Sequence, residues 1–377
     1  MRVLLATPYD PAVVHQHAAD DVGRPFLAAL ATLVELHVYA PGATPRSAEG
    51  YVVHGGVRPS TAPSRHLGVL PAAVRKDWGR ANDAEFGRLR RMLVPDRTHF
   101  EYLQTFGAAL SQPDDRWSIT LHDVSSTVFS QRARATHGAE RAYRRVEAVR
   151  VAALERRALG RARQAFALSE RDVRQIAPAT REPVLLRLGV DRPDVAWTHR
   201  RTDAPTFVFA GAMWRDANAR AARYLVDEVM PHLSAACSTA RLRIVGAGPP
   251  ADLVARSSAN VDVVGAVPDF DDEFFAADAT IAISLVDAGV LLKAVRAMRC
   301  GAPVVLNSTA AEPLAIEDGV HALVRDDPAQ LAAALLALWR DEDLATRLGS
   351  AGAAHVVARG DWHRTAEDFV RALREQP

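Results

Sequence analysis

Residues 281–305 read IAISLVDAGVLLKAVRAMRCGAPVV, and their pattern sets the fold class. Ile281 to Val286 is a short apolar run suited to a strand buried on both faces. Gly289 permits a sharp turn or a close approach of backbone to a ligand. Leu291, Val295 and Met298 then recur at helical spacing, with Lys293, Arg296 and Cys300 on another face. Gly301 stops the helix, Pro303 follows, and Val304-Val305-Leu306 resume a buried strand. Strand, turn, helix and strand in this order are the unit of a parallel α/β sheet.

The charges in this stretch are unusual. Lys293 falls in the first helical turn, where the helix dipole disfavours a cation. Arg296 lies three residues on, so two like charges share one face. A bound anion over the helix N-terminus reverses both penalties. A solvated helix face fits the same spacing. The chain has only two lysines, Lys76 and Lys293, among 46 basic residues. In an arginine-rich chain, a lysine here marks a place for a compact point charge.

The 377 residues are enough for two domains with their own cores, and 49% apolar content suits a globular protein. No apolar run approaches the roughly 20 residues of a membrane span. The start, MRVLLATPYDP, reads as a first strand rather than a signal peptide. Two cysteines, Cys237 and Cys300, provide neither a disulfide framework nor a metal cluster. The expected compartment is the cytoplasm, with no metal and no cofactor. Residues 1–200 carry 29 basic against 21 acidic side chains, and 201–377 carry 17 against 24, so +8 precedes −7. The basic half suits an anionic acceptor, peripheral contact with a membrane surface, or a partner; snorkelling arginines on surface helices fit equally.

Along the first half, Arg2–Ala6, Leu36–Tyr39, Trp117–Leu121, Ala165–Ser169 and Val184–Leu188 read as strands, and Tyr51–Val53 as a further short one. Residues 22–34, 71–112 and 130–163 read as mostly helical. His122-Asp123 follows directly on a strand, where open α/β sheets place ligand-binding residues. A hydrogen-bonded loop pair is the alternative. His15 and His17 share the loop after the first strand. Residues 189–204 are polar and read as a linker.

The second half alternates more regularly. Strands at Thr206–Ala210, Leu242–Val245, Val261–Val264, Thr280–Leu285 and 303–306 are separated by helical stretches, which implies a parallel sheet covered on both faces. Gly211 and Arg215 sit where the first of these strands enters its helix. Gly246-Ala247-Gly248 suggests a dinucleotide fingerprint but lacks the third glycine and the acidic strand end.

Taken together, several stretches resemble the retaining GT-B glycosyltransferases of family 4 (glycosyl transferases group 1). They are FVFAGAMWRDANARAARYLVDEVMPHL, LRIVGAGP, VDVVGAVPD, AGVLLKAVRAMRCGAPVV, AAEPLAIEDGVHALV and the closing DWHRTAEDFVRAL. LHDVSSTVFSQR and FALSERD carry a weaker likeness in the first half. The resemblance implies two Rossmann-like doubly wound domains facing a central cleft: an acceptor-side domain (1–190), a nucleotide-sugar domain (191–355), and a C-terminal helix (356–377) returning to the first.

The resemblance also implies a function: transfer of a sugar from a nucleotide-diphosphate sugar with retention, without metal and without nucleic acid as partner. The acceptor is left open among small molecules, glycans and lipid-linked sugars. Lys293 and Arg215 are then expected to hold the leaving diphosphate, and His122 to contact the donor sugar. Gly211, Gly289, Val290, Leu291 and Leu292 would line the donor with backbone, and Val267 would lie near the base. One departure is plain. Where the family has a glutamate that accepts from the ribose hydroxyls, this chain has Arg296, which has no acceptor. Ala288 also replaces an acidic position. Three accounts fit: another carboxylate such as Glu312 or Asp287 serves the ribose; the donor carries an extra phosphate that Arg296 meets; or the protein is a non-catalytic partner.

Overall fold

The computed structural model describes residues 1–377 apart from 12, 14–21, 58–69, 113–116, 200–202, 288 and 376–377. Two compact units result. Of the described residues, one comprises those up to Gly189 together with the C-terminal stretch from Trp362, and the other those of Val190–Asp361.

The first unit holds eight strands: β1 (Arg2–Ala6), β2 (Glu35–Pro41), β3 (Arg46–Ala48), β4 (Tyr51–Gly56), β5 (Arg97–Glu101), β6 (Trp117–Leu121), β7 (Gln164–Ala167) and β8 (Pro183–Leu185). Their order is β3-β4-β2-β1-β5-β6-β7-β8, parallel except for the β3/β4 hairpin. The strand order reverses between β1 and β5, and such a switch point opens a crevice outside the carboxyl ends of the strands. β1 is VLLA at full burial, as a central parallel strand requires.

β5 departs from the sequence expectation, which placed it inside a helical tract. Its residues, Arg-Thr-His-Phe-Glu, carry none of the apolar run that marks a buried strand. The fold buries His99 and Glu101 because they satisfy one another. His99 Nε2 lies 3.0 Å from Glu101 Oε1, and His99 Nδ1 lies 2.7 Å from Ser118 Oγ on β6. The helical tract at 130–163 is a pair of helices, one of the two arrangements its sequence allows: Ser125–Arg134 and Gly138–Arg161.

The second unit holds β9 (Thr206–Ala210), β10 (Arg241–Val245), β11 (Val261–Gly265), β12 (Ala279–Ala282), β13 (Val304–Leu306) and β14 (Leu323–Val324). All pairings are parallel, in the order β11-β10-β9-β12-β13-β14. Here the order reverses between β9 and β12. The loops leaving these two strands carry Gly211 and, further on, Lys293. Helices such as Pro328–Arg340 cover the sheet with Leu331, Leu335 and Leu338, each nearly inaccessible. Among the described residues, no helix is long and apolar enough to cross a membrane.

Candidate functional site

The second unit's switch point is built from close backbone approach. Gly211 ends β9 at φ +153°, and Gly246 ends β10 at φ +138°. A Cβ on Gly246 would stand 1.8 Å from the Gly211 carbonyl oxygen, so only glycine fits there. The Gly211 N–H donates to the Val245 carbonyl at 2.9 Å, and the Met213 N–H to the Ala247 carbonyl at 2.8 Å. The Gly-x-Gly stretch of residues 246–248 therefore joins two loops at the sheet edge; Gly248 gives the room for Trp214.

Lys293 reaches into this junction from the helix Leu292–Arg299. Its Nζ donates to Asn218 Oδ1 at 2.9 Å and lies 3.9 Å above the Phe209 ring. A Cβ on Gly211 would come within 3.0 Å of that Nζ and 2.9 Å of Asn218 Nδ2. Asn218 is itself fixed by donating to the Ala212 carbonyl at 3.0 Å. Phe209 is fully buried and offers its ring face, which attracts a cation. Burial lowers the Lys293 ammonium to about 7, and the Arg215 charge pushes the same way. Among the described residues no carboxylate pairs with Lys293 or Arg215. Two cations thus share a site without a counter-ion, and the helix above Lys293 has Leu291 at its N-cap with no side-chain cap. This arrangement is electrostatically incomplete, and an anion completes it.

The other expected residues divide. Gly289 is buried, Val290 and Leu291 pack partly buried against the unit's core, and Leu292 opens the helix. Val267 is buried just beyond Gly265, which has φ +82°. Glu312 is exposed and begins a 3₁₀ turn after β13. Asp287 is exposed. Ala288, His15 and His17 lie outside the described residues.

Arg296 is occupied. Its Nε donates to Asp271 Oδ1 at 2.6 Å and its Nη2 pairs with Asp269, while Arg299 pairs with the other Asp271 oxygen. The guanidinium is therefore held by two carboxylates beside the helix Phe270–Ala276, whose N-cap is Asp269. The structure does not bring it to the Lys293 ammonium. Cys300, expected on the polar face, is buried.

His122 lies in the first unit, beyond β6. Its partner is Glu101, with Nε2 to Oε2 at 2.6 Å, and its ring stacks on Tyr102 at 3.8 Å and 9°. Asp123 instead accepts from Ser125. Burial alone would raise the Glu101 carboxyl, but hydrogen bonds from His122 and His99 outweigh it and hold Glu101 down at about 2. His122 and Glu101 line a small cavity of about 40 Å³ whose walls include Leu5, Phe26, Leu186 and Trp362. It lies at the first unit's switch point. Among the described residues no group of His, Cys, Asp or Glu is arranged to hold a metal ion.

Asn218 was not singled out by sequence reading. The signal was its place seven residues after Gly211, in the first turn of the next helix, but an asparagine alone does not name its partner.

Residues 204–341 match the family model described as glycosyl transferases group 1. The curated D-inositol 3-phosphate glycosyltransferase of Corynebacterium jeikeium is 31% identical over 138 residues, 36% of this chain. This match spans only 28% of that relative's length. Among solved structures, sucrose-phosphate synthase from Thermosynechococcus elongatus superposes with a TM-score of 0.73 at 17% identity, covering 99% of this chain and 98% of that one. Anabaena HepE in complex with UDP and glucose gives 0.66 at 15% identity, with 99% of both chains covered. Trehalose-6-phosphate synthase, studied for glycosyltransfer with retention, gives 0.69 at 13% identity over the whole of both chains. At these identities the likeness shows the fold: two parallel-sheet α/β domains of the GT-B kind.

Proposed function

We propose that this chain, a GT-B protein whose residues 204–341 form a group 1 glycosyltransferase domain, transfers a sugar from a nucleoside-diphosphate sugar to a hydroxyl acceptor with retention. The observation that carries the reading is the Lys293 site. It holds an enclosed ammonium fixed by Asn218 and Phe209, a neighbouring Arg215, no counter-ion among the described residues, and an uncapped helix end.

Breaking the glycosyl–phosphate bond leaves negative charge on the departing diphosphate. Lys293 and Arg215 are cations already in place, so they stabilise that charge without reorganisation. Half-burial of Lys293 strengthens the attraction by excluding water. In this scheme the departing phosphate oxygen takes the acceptor's proton on the same face, which gives retention without a protein base and asks nothing of a metal. His122, oriented by Glu101 and by stacking on Tyr102, is the first unit's candidate to contact a sugar hydroxyl. UDP is the first nucleotide to test, because HepE was solved with UDP and glucose.

Substituting Lys293 by Ala removes one such donor and should raise the barrier by about 3 kcal/mol, a loss of roughly a hundredfold in kcat/KM. The assay is release of nucleoside diphosphate from a panel of nucleotide sugars. Unchanged release by Lys293→Ala would remove Lys293 from the mechanism.

A further inference from the structure

Three neighbouring strands of the second unit end on glycine. Gly211 follows β9, Gly246 follows β10 and Gly265 closes β11, all at positive φ. They are joined edge to edge. The Gly211 N–H donates to the Val245 carbonyl at 2.9 Å, and the Gly246 N–H to the Gly265 carbonyl at 2.6 Å. Two strand spacings give this bare backbone ledge a width of about 10 Å. A Cβ on Gly265 would meet nothing within 4 Å, so the far end of the ledge is open.

One large side chain stands beside the ledge. Trp214 lies on the loop after β9, and its N–H donates to the Ala247 carbonyl at 3.2 Å. A Cβ on Gly248 would come within 3.0 Å of the Trp214 Cβ and 3.4 Å of its ring atom Cδ1, so glycine at 248 lets the indole pack onto the turn after β10. The indole is nevertheless 53% exposed, whereas Trp78, Trp117, Trp197 and Trp362 are buried. A lone exposed apolar side chain needs no explanation. An indole held by backbone at the lip of a cation site does.

Strand order places the parts. β9 lies between β12 and β10. The Lys293 ammonium sits at the end of β9, 3.0 Å from where a Gly211 Cβ would be, and Arg215 follows Trp214 in the same loop. A diphosphate held there has residues 289–292, after β12, on one side. Gly248 and Trp214 are on the other. The β12 side is the one expected to meet the sugar, so the nucleoside extends toward Trp214.

We propose that Trp214 recognises the donor's nucleobase: the indole stacks on the face of the base at the glycine ledge, while Lys293 and Arg215 hold the phosphates. Every base offers a π-face, so the stack selects a nucleoside diphosphate over a bare diphosphate without choosing among bases. That choice is left to hydrogen bonds with backbone, such as the contact expected at Val267. The proposal rests on the assignment of Lys293 and Arg215 to a diphosphate, and its test separates the two.

The test is calorimetric titration of wild type, Trp214→Ala and Trp214→Phe with UDP, GDP, TDP and ADP. Inorganic pyrophosphate serves as a competitor that has the charge and no base. Trp214→Ala should weaken the best nucleoside diphosphate by about tenfold or more and leave competition by pyrophosphate unchanged. Trp214→Phe should recover most of the loss. Tryptophan fluorescence of wild type should be quenched on binding, and Trp214→Phe should lose that quenching at the same occupancy. The position is exposed, and circular dichroism checks that the variants remain folded. Wild type that prefers no nucleoside diphosphate over pyrophosphate, or Trp214→Ala that keeps the wild-type preference, overturns the role of Trp214 and leaves that of Lys293 standing. Equal loss of pyrophosphate and nucleotide in Trp214→Ala also overturns it, since the residue then only shapes the cation site. Binding of none of these probes to folded wild type overturns both.

Discussion

Replacing Gly211 by Ala tests how the anion site is assembled. The added methyl would lie 2.9 Å from Asn218 Nδ2 and 3.0 Å from Lys293 Nζ, so both side-chain ends must give way. The backbone at φ +153° is one that residues with a side chain rarely adopt. That strain alone costs on the order of 1–3 kcal/mol. The two polar groups must also move, and the Lys293–Asn218 hydrogen bond of 2.9 Å is the first contact to suffer. A displaced ammonium is paired with neither Asn218 nor the anion. Urea unfolding should therefore show a loss of about 1–3 kcal/mol, and calorimetric titration with a nucleoside diphosphate should show affinity down by roughly tenfold or more. Gly246→Ala provides the comparison, since its methyl would meet the Gly211 carbonyl oxygen at 1.8 Å and displace backbone. If Gly211→Ala folds with unchanged stability and binds the diphosphate as wild type does, the close packing of Gly211, Asn218 and Lys293 is not what holds the site.

Three other outcomes follow from the geometry. Lys293 is lowered to about 7 without ligand, chiefly by burial, and an anion favours its charged form. Diphosphate binding above pH 7 should therefore take up a proton, seen as a dependence of the calorimetric heat on buffer ionisation enthalpy, and Lys293→Met should remove that uptake. The same group makes the free protein gain stability as pH rises from about 7 toward 10.5, because there the unfolded chain binds the extra proton. Arg296→Glu places a third carboxylate beside Asp269 and Asp271, and thermal denaturation should show a loss of about 2–3 kcal/mol rather than tighter nucleotide binding. Glu101, lowered from 4.5 to about 2, contributes stability that is lost as pH falls through that window; Glu101→Gln should flatten this acid limb in a pH-dependent urea series.

The two units differ in how much of them the sequence discloses, and the reason is physical. β9, β12 and β13 are short, mostly apolar runs, and β10 keeps Leu242, Ile244 and Val245, so composition marks them. β5 is equally central but buries a histidine and a glutamate, and what makes that tolerable is a set of partners 19 to 21 residues away. Pairing of this sort leaves no local pattern. The same holds at the site. Lys293 announces itself as a cation in the wrong turn of a helix, and Gly211 as a glycine at a strand end. The roles of Asn218 and Phe209 appear only when two distant segments meet.

Arg296 shows the opposite failure. Its position beside Lys293 in sequence suggested a shared anion, yet three residues along a helix swing its side chain toward Asp269 and Asp271. The carboxylates that capture it belong to the loop and helix after β11. Charge counting along one helix does not include them.

The central claim is that Lys293 receives a diphosphate. Calorimetric titration of the wild-type chain and of Lys293→Ala with UDP, GDP, TDP and ADP tests it most directly, with UMP as the control that lacks the second phosphate. One diphosphate should bind wild type well above UMP, and Lys293→Ala should lose that preference while still unfolding at the wild-type midpoint or above it. Equal binding of a diphosphate by the two proteins, or binding to neither while wild type is folded, would contradict the claim.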